Sequence, residues 1–251
     1  DALPSLPGLF PSLPQNHSPK EVQMPKHTMC TTLEEALELL RKNEEPVLEL
    51  NSHAQIGDKG ATAIAEVLRE QAGKGRGKMS IMILPGQMIG PEGAAELGGG
   101  LNKNMDVTEL HLPNNPIGYE GVKRLAEALA APWTKGGTKP GNKTLKVLGL
   151  KSCDIEPHCG DCQMCRFSPL FPISLLDLTS LRMIDLNSNN ITDLPLQFCE
   201  MPNLVGLDVR KNPLDNIPQD VMVTAREGHQ AGWPMLKAYL KAEYQKGHNR
   251  S

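Results

Sequence analysis

Aromatic side chains are scarce in this sequence: Phe, Tyr and Trp make up 4% of its 251 residues. A core short of rings has to be filled by aliphatic side chains in thin layers. Long apolar runs are missing as well. Nothing approaches the roughly 18 to 20 residues needed to cross a bilayer as a helix, so no membrane span is expected. Neither sign of charge dominates. The formal net charge is −3, with no basic stripe to hold nucleic acid and no acidic block to make a solvated tail. A nucleophile, base and orienting group at workable spacing are also absent, so no enzymatic activity is expected. The six cysteines do not form paired frameworks, which points to a reducing setting. The cytoplasm is expected, with a plastid or mitochondrial interior or an axoneme as alternatives.

What the sequence does have is a repeat. Leu181, Ile184, Leu186, Asn189, Ile191, Leu194 and Pro195 recur 23 residues later as Leu204, Leu207, Val209, Asn212, Leu214, Ile217 and Pro218. Ile184 and Leu186 alternate with Met183, Asp185 and Asn187, so one set faces a core and the other faces out of a short strand. Asn189 and Asn212 stand at the following turn, where an amide can satisfy backbone groups of the adjacent coil. The pattern L-x-x-L-x-L-x-x-N-x-L-x-x-L-P resembles the leucine-rich repeat. Further upstream, Leu110, Leu112, Asn115 and Ile117 precede Val122, Leu125, Ala126 and Leu129, which share one helical face. This unit is similar to the ribonuclease-inhibitor class, in which each strand is paired with a full helix. Related units begin at Leu48 and Leu148, the latter with Cys153 in the Asn slot. Another begins at Ile81, where Ile81 and Ile83 read as the inward pair; in this unit and the one at Leu48 the stretch before Ile-Gly is one residue longer than around Leu110 and no Asn equivalent is found. Six strand units result.

The resemblance implies an α/β leucine-rich repeat solenoid: a curved parallel sheet on the concave face, with helices and short turns on the convex face. A single coil cannot bury its own apolar side, so stacking makes the interior. The expected organisation is a Pro-rich extended arm over 1–30, an N-terminal capping helix over 31–45, the solenoid over 46–221, and a C-terminal cap helix and tail over 222–251. Thr32 and Glu35 form a capping-box pattern ahead of Leu33, Ala36, Leu37 and Leu40. Pro234 suits the first turn of the last helix, followed by Met235, Leu236, Tyr239, Leu240 and Tyr244.

Extending the strand alternation places Val47, Glu49, Ser80, Met82, Leu84, Glu109, His111, Val147, Lys151, Met183, Asp185, Asn187, Asp208 and Arg210 on the concave face. Apolar residues at such positions suit a dry contact with another protein. In the arm, Leu6, Leu9, Phe10 and Leu13 alternate with prolines that favour an extended backbone, and are expected to dock on a neighbouring subunit. His158, Cys159, Cys162 and Cys165 have spacing that could ligate a structural zinc. The alternative is that these cysteines fill small-residue slots in a connector. Gly73 to Ser80 fails as a phosphate loop, because Met79 follows Gly77-Lys78 where Ser or Thr is required. The function expected is a non-catalytic scaffold, an accessory subunit that binds other protein subunits through the concave face and the arm. The alternatives are a regulatory subunit of a GTPase or protein phosphatase, and a zinc-stabilised adaptor.

Overall fold

The computed structural model describes residues 27–72, 77–132, 141–157, 171–218, 221 and 232–248. Seven strands form one parallel sheet in chain order. They are β1 (His27–Cys30), β2 (Val47–Leu50), β3 (Ile81–Ile83), β4 (Glu109–His111), β5 (Val147–Gly149), β6 (Met183–Asp185) and β7 (Gly206–Asp208). Helices α1 (Leu33–Lys42), α2 (Gly57–Gln71), α3 (Pro91–Asn102) and α4 (Gly118–Ala130) each connect one strand to the next. Beyond β5 the connections shorten to 3-10 turns at Ile173–Asp177 and Leu196–Glu200, and α5 (Gly232–His248) follows β7.

This arrangement agrees with the α/β solenoid expected from the repeat. Its first strand was not anticipated. β1 pairs with β2 from His27↔Val47 to Cys30↔Leu50, so the last residues assigned to the extended arm open the sheet instead. The sequence His-Thr-Met-Cys carries too little apolar alternation to announce a strand. The remainder of the arm, including Leu6, Leu9, Phe10 and Leu13, lies outside the described residues.

One side of the sheet packs into a continuous aliphatic core. Leu48, Met82, Leu110, Leu148, Ile184 and Leu207 stand in register across the strands, and all are buried. Ala61, Ile64, Ala94, Leu97, Val122 and Leu125 meet them from the helices. Where the helices stop, two of the few aromatics fill the space: Phe171 and Phe198 are buried edge to face, with centroids 5.4 Å apart.

Asparagines hold successive coils together. Asn115 Oδ1 accepts the Gln87 and Ile89 N–H groups, and its Nδ2 donates to the Leu84 and Leu112 carbonyls. Asn189 repeats this arrangement on Cys153 and Ile155 N–H and the Leu150 and Leu186 carbonyls. Gln87, fully buried, occupies the same slot one coil earlier and donates to the carbonyls of Asn51 and Pro85. The slot judged empty in that coil is therefore filled, by a side chain one methylene longer. Cys153 holds the equivalent place with its thiol directed at the Leu112 carbonyl, and burial pushes that thiol up to about 12. It is protonated and inert at neutral pH.

Both ends of the core are covered. Thr32 Oγ1 accepts the Glu35 N–H, while the Glu35 carboxylate reaches back to the Thr31 N–H, one residue beyond the usual partner of a capping box. Ala36 and Leu40 of α1 are buried. At the other end Trp233, Leu236 and Leu240 of α5 are buried, and the Trp233 indole donates to the Leu204 carbonyl. Met235 points outward; Trp233 takes the inward place expected of it.

Candidate functional site

The other side of the sheet is covered by no element among the described residues. Strands in a sheet lie about 4.8 Å apart, whereas packed helices need about 8 to 10 Å, so a coil with strands on one side and helices on the other curves toward the strands. The open strand face is thus the concave one. Its residues form rows running across the strands, set by the register.

The first row is Val47, Ile81, Glu109, Val147, Met183 and Gly206. The second is Glu49, Ile83, His111, Gly149, Asp185 and Asp208, with Met29 of β1 at its end, 51% exposed. Lys151, Asn187 and Arg210 follow their strands by two residues and extend the face. Apolar side chains therefore predominate in the first row, interrupted by Glu109, and the second mixes three carboxylates with His111, Ile83, Gly149 and Met29.

Two contacts fix the polar part. His111 Nε2 lies 3.2 Å from Glu109 Oε2, and the imidazole leans over Gly149, where a Cβ would stand 2.8 Å from Nδ1. Glycine at that position leaves the seat for the ring. Arg210 clamps Asp208 through Nε at 2.9 Å and Nη2 at 2.7 Å, and this hydrogen-bonded carboxylate raises the guanidinium further above its ordinary range. Asp185 accepts the Asn187 N–H, and Asn187 in turn donates toward Asp208.

Val47, Glu49, Glu109, His111, Val147, Lys151, Met183, Asp185, Asn187, Asp208 and Arg210 thus lie on the expected face. Met82, Leu84 and Ser80 do not. Met82 and Leu84 are fully buried in the core, and the residues facing outward are Ile81 and Ile83. Ser80 sits at the strand's edge, its hydroxyl donating to the Pro46 carbonyl. The difference has a physical origin: Ile81-Met82-Ile83-Leu84 is apolar throughout, so alternation gives no phase. A different signal was available. Met82 to Ile89 spans the same distance as Leu110 to Ile117, which puts Gln87 level with Asn115.

Truncation separates the two phases directly. Met82→Ala is expected to cost about 2–3 kcal/mol through lost burial and a cavity, and Ile81→Ala less than about 1 kcal/mol. Urea unfolding of the two variants measures this, and equal losses would contradict the register.

Among the described residues no group of three or more His, Cys, Asp or Glu could hold a metal ion. His158, Cys159, Cys162 and Cys165 lie outside the described residues.

A family model described as "Leucine Rich repeat" matches residues 47–65 and 103–126, which take in β2 with the start of α2 and β4 with most of α4. The chain is a leucine-rich repeat protein. The human "NACHT, LRR and PYD domains-containing protein 3" is 33% identical over 102 residues, covering 40% of this chain and 8% of the relative. The human "NACHT, LRR and PYD domains-containing protein 13" is 32% identical over 130 residues, covering 52% of this chain and 11% of the relative. The repeat protein therefore spans about a tenth of the length of these curated relatives. The solved structure "Leiomodin-1 Actin-Binding Site 2 (ABS2)" aligns with a TM-score of 0.44 at 13% identity, over 87% of this chain and 98% of that one. No functional reading follows from that alignment. Repeats of this class generally mediate protein–protein interaction. No helix among the described residues is long and apolar enough to cross a membrane.

Proposed function

We propose that this protein is a non-catalytic interaction module, an accessory subunit that holds another polypeptide against the open face of its sheet. The observation that carries this reading is the trio Ile81, Val147 and Met183, half-buried apolar side chains in one row of a strand face with no covering element among the described residues. Such a surface gains most from contact with a partner that displaces water from it. The polar groups beside it, clamped by Arg210 and seated at Gly149, are held in place before any partner arrives, so little side-chain entropy is lost on binding.

The test is position-specific cross-linking in cells that make the protein. A photoreactive residue at Ile83 or Val147 is expected to capture another polypeptide, whereas one at Glu120, exposed on α4, is not. Capture confined to Glu120 would move the interface to the helical face and defeat the proposal.

A further inference from the structure

Where β5 and β6 begin, the rim of the sheet carries three cations, Lys143, Lys146 and Arg182, none of them in an ion pair among the described residues. We infer that this rim anchors a short acidic segment of a partner polypeptide, a cluster of Asp or Glu next to a bulky apolar residue. This names the chemistry of the partner proposed above and rests on that reading.

Backbone bonds bring the three cations together. Val147 pairs with Met183, and the Arg182 N–H donates to the Lys146 carbonyl at 2.8 Å. Lys146 and Arg182 therefore stand on neighbouring coils, their backbones about 4.8 Å apart. The Lys143 ammonium donates to the Thr179 hydroxyl at 3.2 Å, and the Lys146 ammonium donates to the Lys143 carbonyl at 2.9 Å. These contacts place both ammonium groups and use one N–H of each, which leaves the others for a ligand. Arg182 is exposed and makes no side-chain hydrogen bond among the described residues. Its planar fork matches the two oxygens of a carboxylate.

Elsewhere the chain matches cations with neighbours: Arg69 with Glu96 and Arg124 with Glu92 between helices, and Arg210 with Asp208 at the end of the sheet. At this rim like charges lie side by side instead, in a chain whose formal net charge is −3. Their mutual repulsion is relieved when an anion binds between them.

The surroundings select the kind of anion. Glu109 lies level with Val147 and is held by His111, and Asp185 lies two residues beyond Met183. These carboxylates border the cations on the sheet side and oppose a long polyanion, such as a nucleic acid strand, running on across the face. A short acidic cluster stays inside that border. Apolar neighbours favour a polypeptide over a free anion. Val205 donates its N–H to the Arg182 carbonyl and is 49% exposed, while Val147 and Met183, half-buried, directly follow two of the cations in the chain. A bulky residue beside the acids gains by covering these while the acids reach the rim.

The probe is a synthetic peptide with three consecutive Glu next to Leu, fluorescently labelled and titrated with the full chain by anisotropy. Its comparison ligands are the same peptide with Gln for Glu, the same peptide with Ser for Leu, a single-stranded oligonucleotide, and phosphatidylserine vesicles. The acidic peptide is expected to bind about tenfold more tightly than the Gln peptide and about threefold more tightly than the Ser peptide. Its affinity should fall about tenfold in Lys146→Gln/Arg182→Gln, but less than about twofold in Lys103→Gln/Lys241→Gln, which removes the same charge from exposed sites away from the rim. Lys146→Arg/Arg182→Lys keeps the charge and should retain the affinity within about threefold, which separates lost charge from lost folding. No binding, equal binding of the Gln peptide, tighter binding of the oligonucleotide or vesicles, or equal losses in the two Gln pairs overturns the inference. If a photoreactive residue at Val147 captures a polypeptide while the acidic peptide fails, the face still binds but not through this rim. If neither Val147 nor Ile83 captures anything, both readings fall.

Discussion

Asn115→Leu is expected to lower the stability of the protein by about 4 kcal/mol, although leucine fits the space that asparagine leaves. The Asn115 amide is enclosed between coils and 1% exposed. Removing its Oδ1 strands the Gln87 N–H, 2.8 Å away, and the Ile89 N–H, 3.1 Å away, both buried. Each orphaned donor costs about 1–3 kcal/mol, and the Leu84 and Leu112 carbonyls lose a donor in addition. The apolar gain of leucine burial offsets only part of that. A total stability of about 5–15 kcal/mol for a typical domain sets the scale of the damage. Asn212 supplies the internal comparison. It accepts from the Ile191 N–H and donates to the Leu186 and Val209 carbonyls, but is only part-buried near the end of the stack. Water can replace some of its bonds, so Asn212→Leu should cost about half as much. Urea unfolding reports both values. Hydrogen exchange at Gln87 and Ile89 should locate the first defect, because stacked coils feel mainly their neighbours. Equal losses at the two positions would mean that burial does not set the value of the slot.

The asparagine ladder was legible because its residue type is chemically distinctive: an amide with both an acceptor and a donor is needed where the turn leaves backbone groups unmet. Asn189 and Asn212 declare it on sight, and Cys153 fits it by spacing. Gln87 is hidden because an all-apolar strand lets the coil begin at either Ile81 or Met82, and a one-residue slip between the two exchanges the inward and outward faces of β3. Alternation gives phase only where polar residues interrupt it, as around Leu110 and Ile184. The polar part of the open face was similarly half visible. Much of its residue list follows from the pattern, but the Arg210–Asp208 clamp joins the last residue of β7 to one two positions past it, and the His111–Gly149 contact joins neighbouring strands through the absence of a side chain. No periodicity announces either one. β1 was hidden for another reason: its pairing with β2 depends on backbone groups, to which side-chain patterns are blind.

The helical side of the molecule yields the second large effect, at Gly100. Helix α3 carries Gly98, Gly99 and Gly100 in succession, a sequence that by propensity alone argues against a helix. Packing explains two of the three. A Cβ at Gly100 would stand 2.7 Å from Ala65 Cα and 2.8 Å from the Ala65 carbonyl, backbone atoms of α2 that cannot step aside. A Cβ at Gly98 would stand 2.7 Å from the Leu125 carbonyl of α4. Relief on one side is blocked on the other, so α3 is pinched between its neighbours. Gly100→Ala should therefore destabilise by about 2 kcal/mol even though alanine favours the helix by about 1 kcal/mol. Gly100→Val, with two more carbons in the same gap, should cost about 4 kcal/mol or prevent folding. Gly99 has the opposite outlook: its added Cβ meets only the far end of Arg69, an exposed side chain that can swing away, so Gly99→Ala should stabilise by about 0.5–1 kcal/mol. Thermal unfolding of the three variants decides the matter, and a stabilised Gly100→Ala would refute the pinch. The consequence reaches the other side of the sheet. Small residues let α2, α3 and α4 sit closer than helices ordinarily do, which limits the curvature that strand and helix spacings impose and keeps β3, β4 and β5 open to a partner. A Gly98→Ala chain that still folds should have its helices wedged apart and its sheet bent more tightly, with no change made to the open face itself.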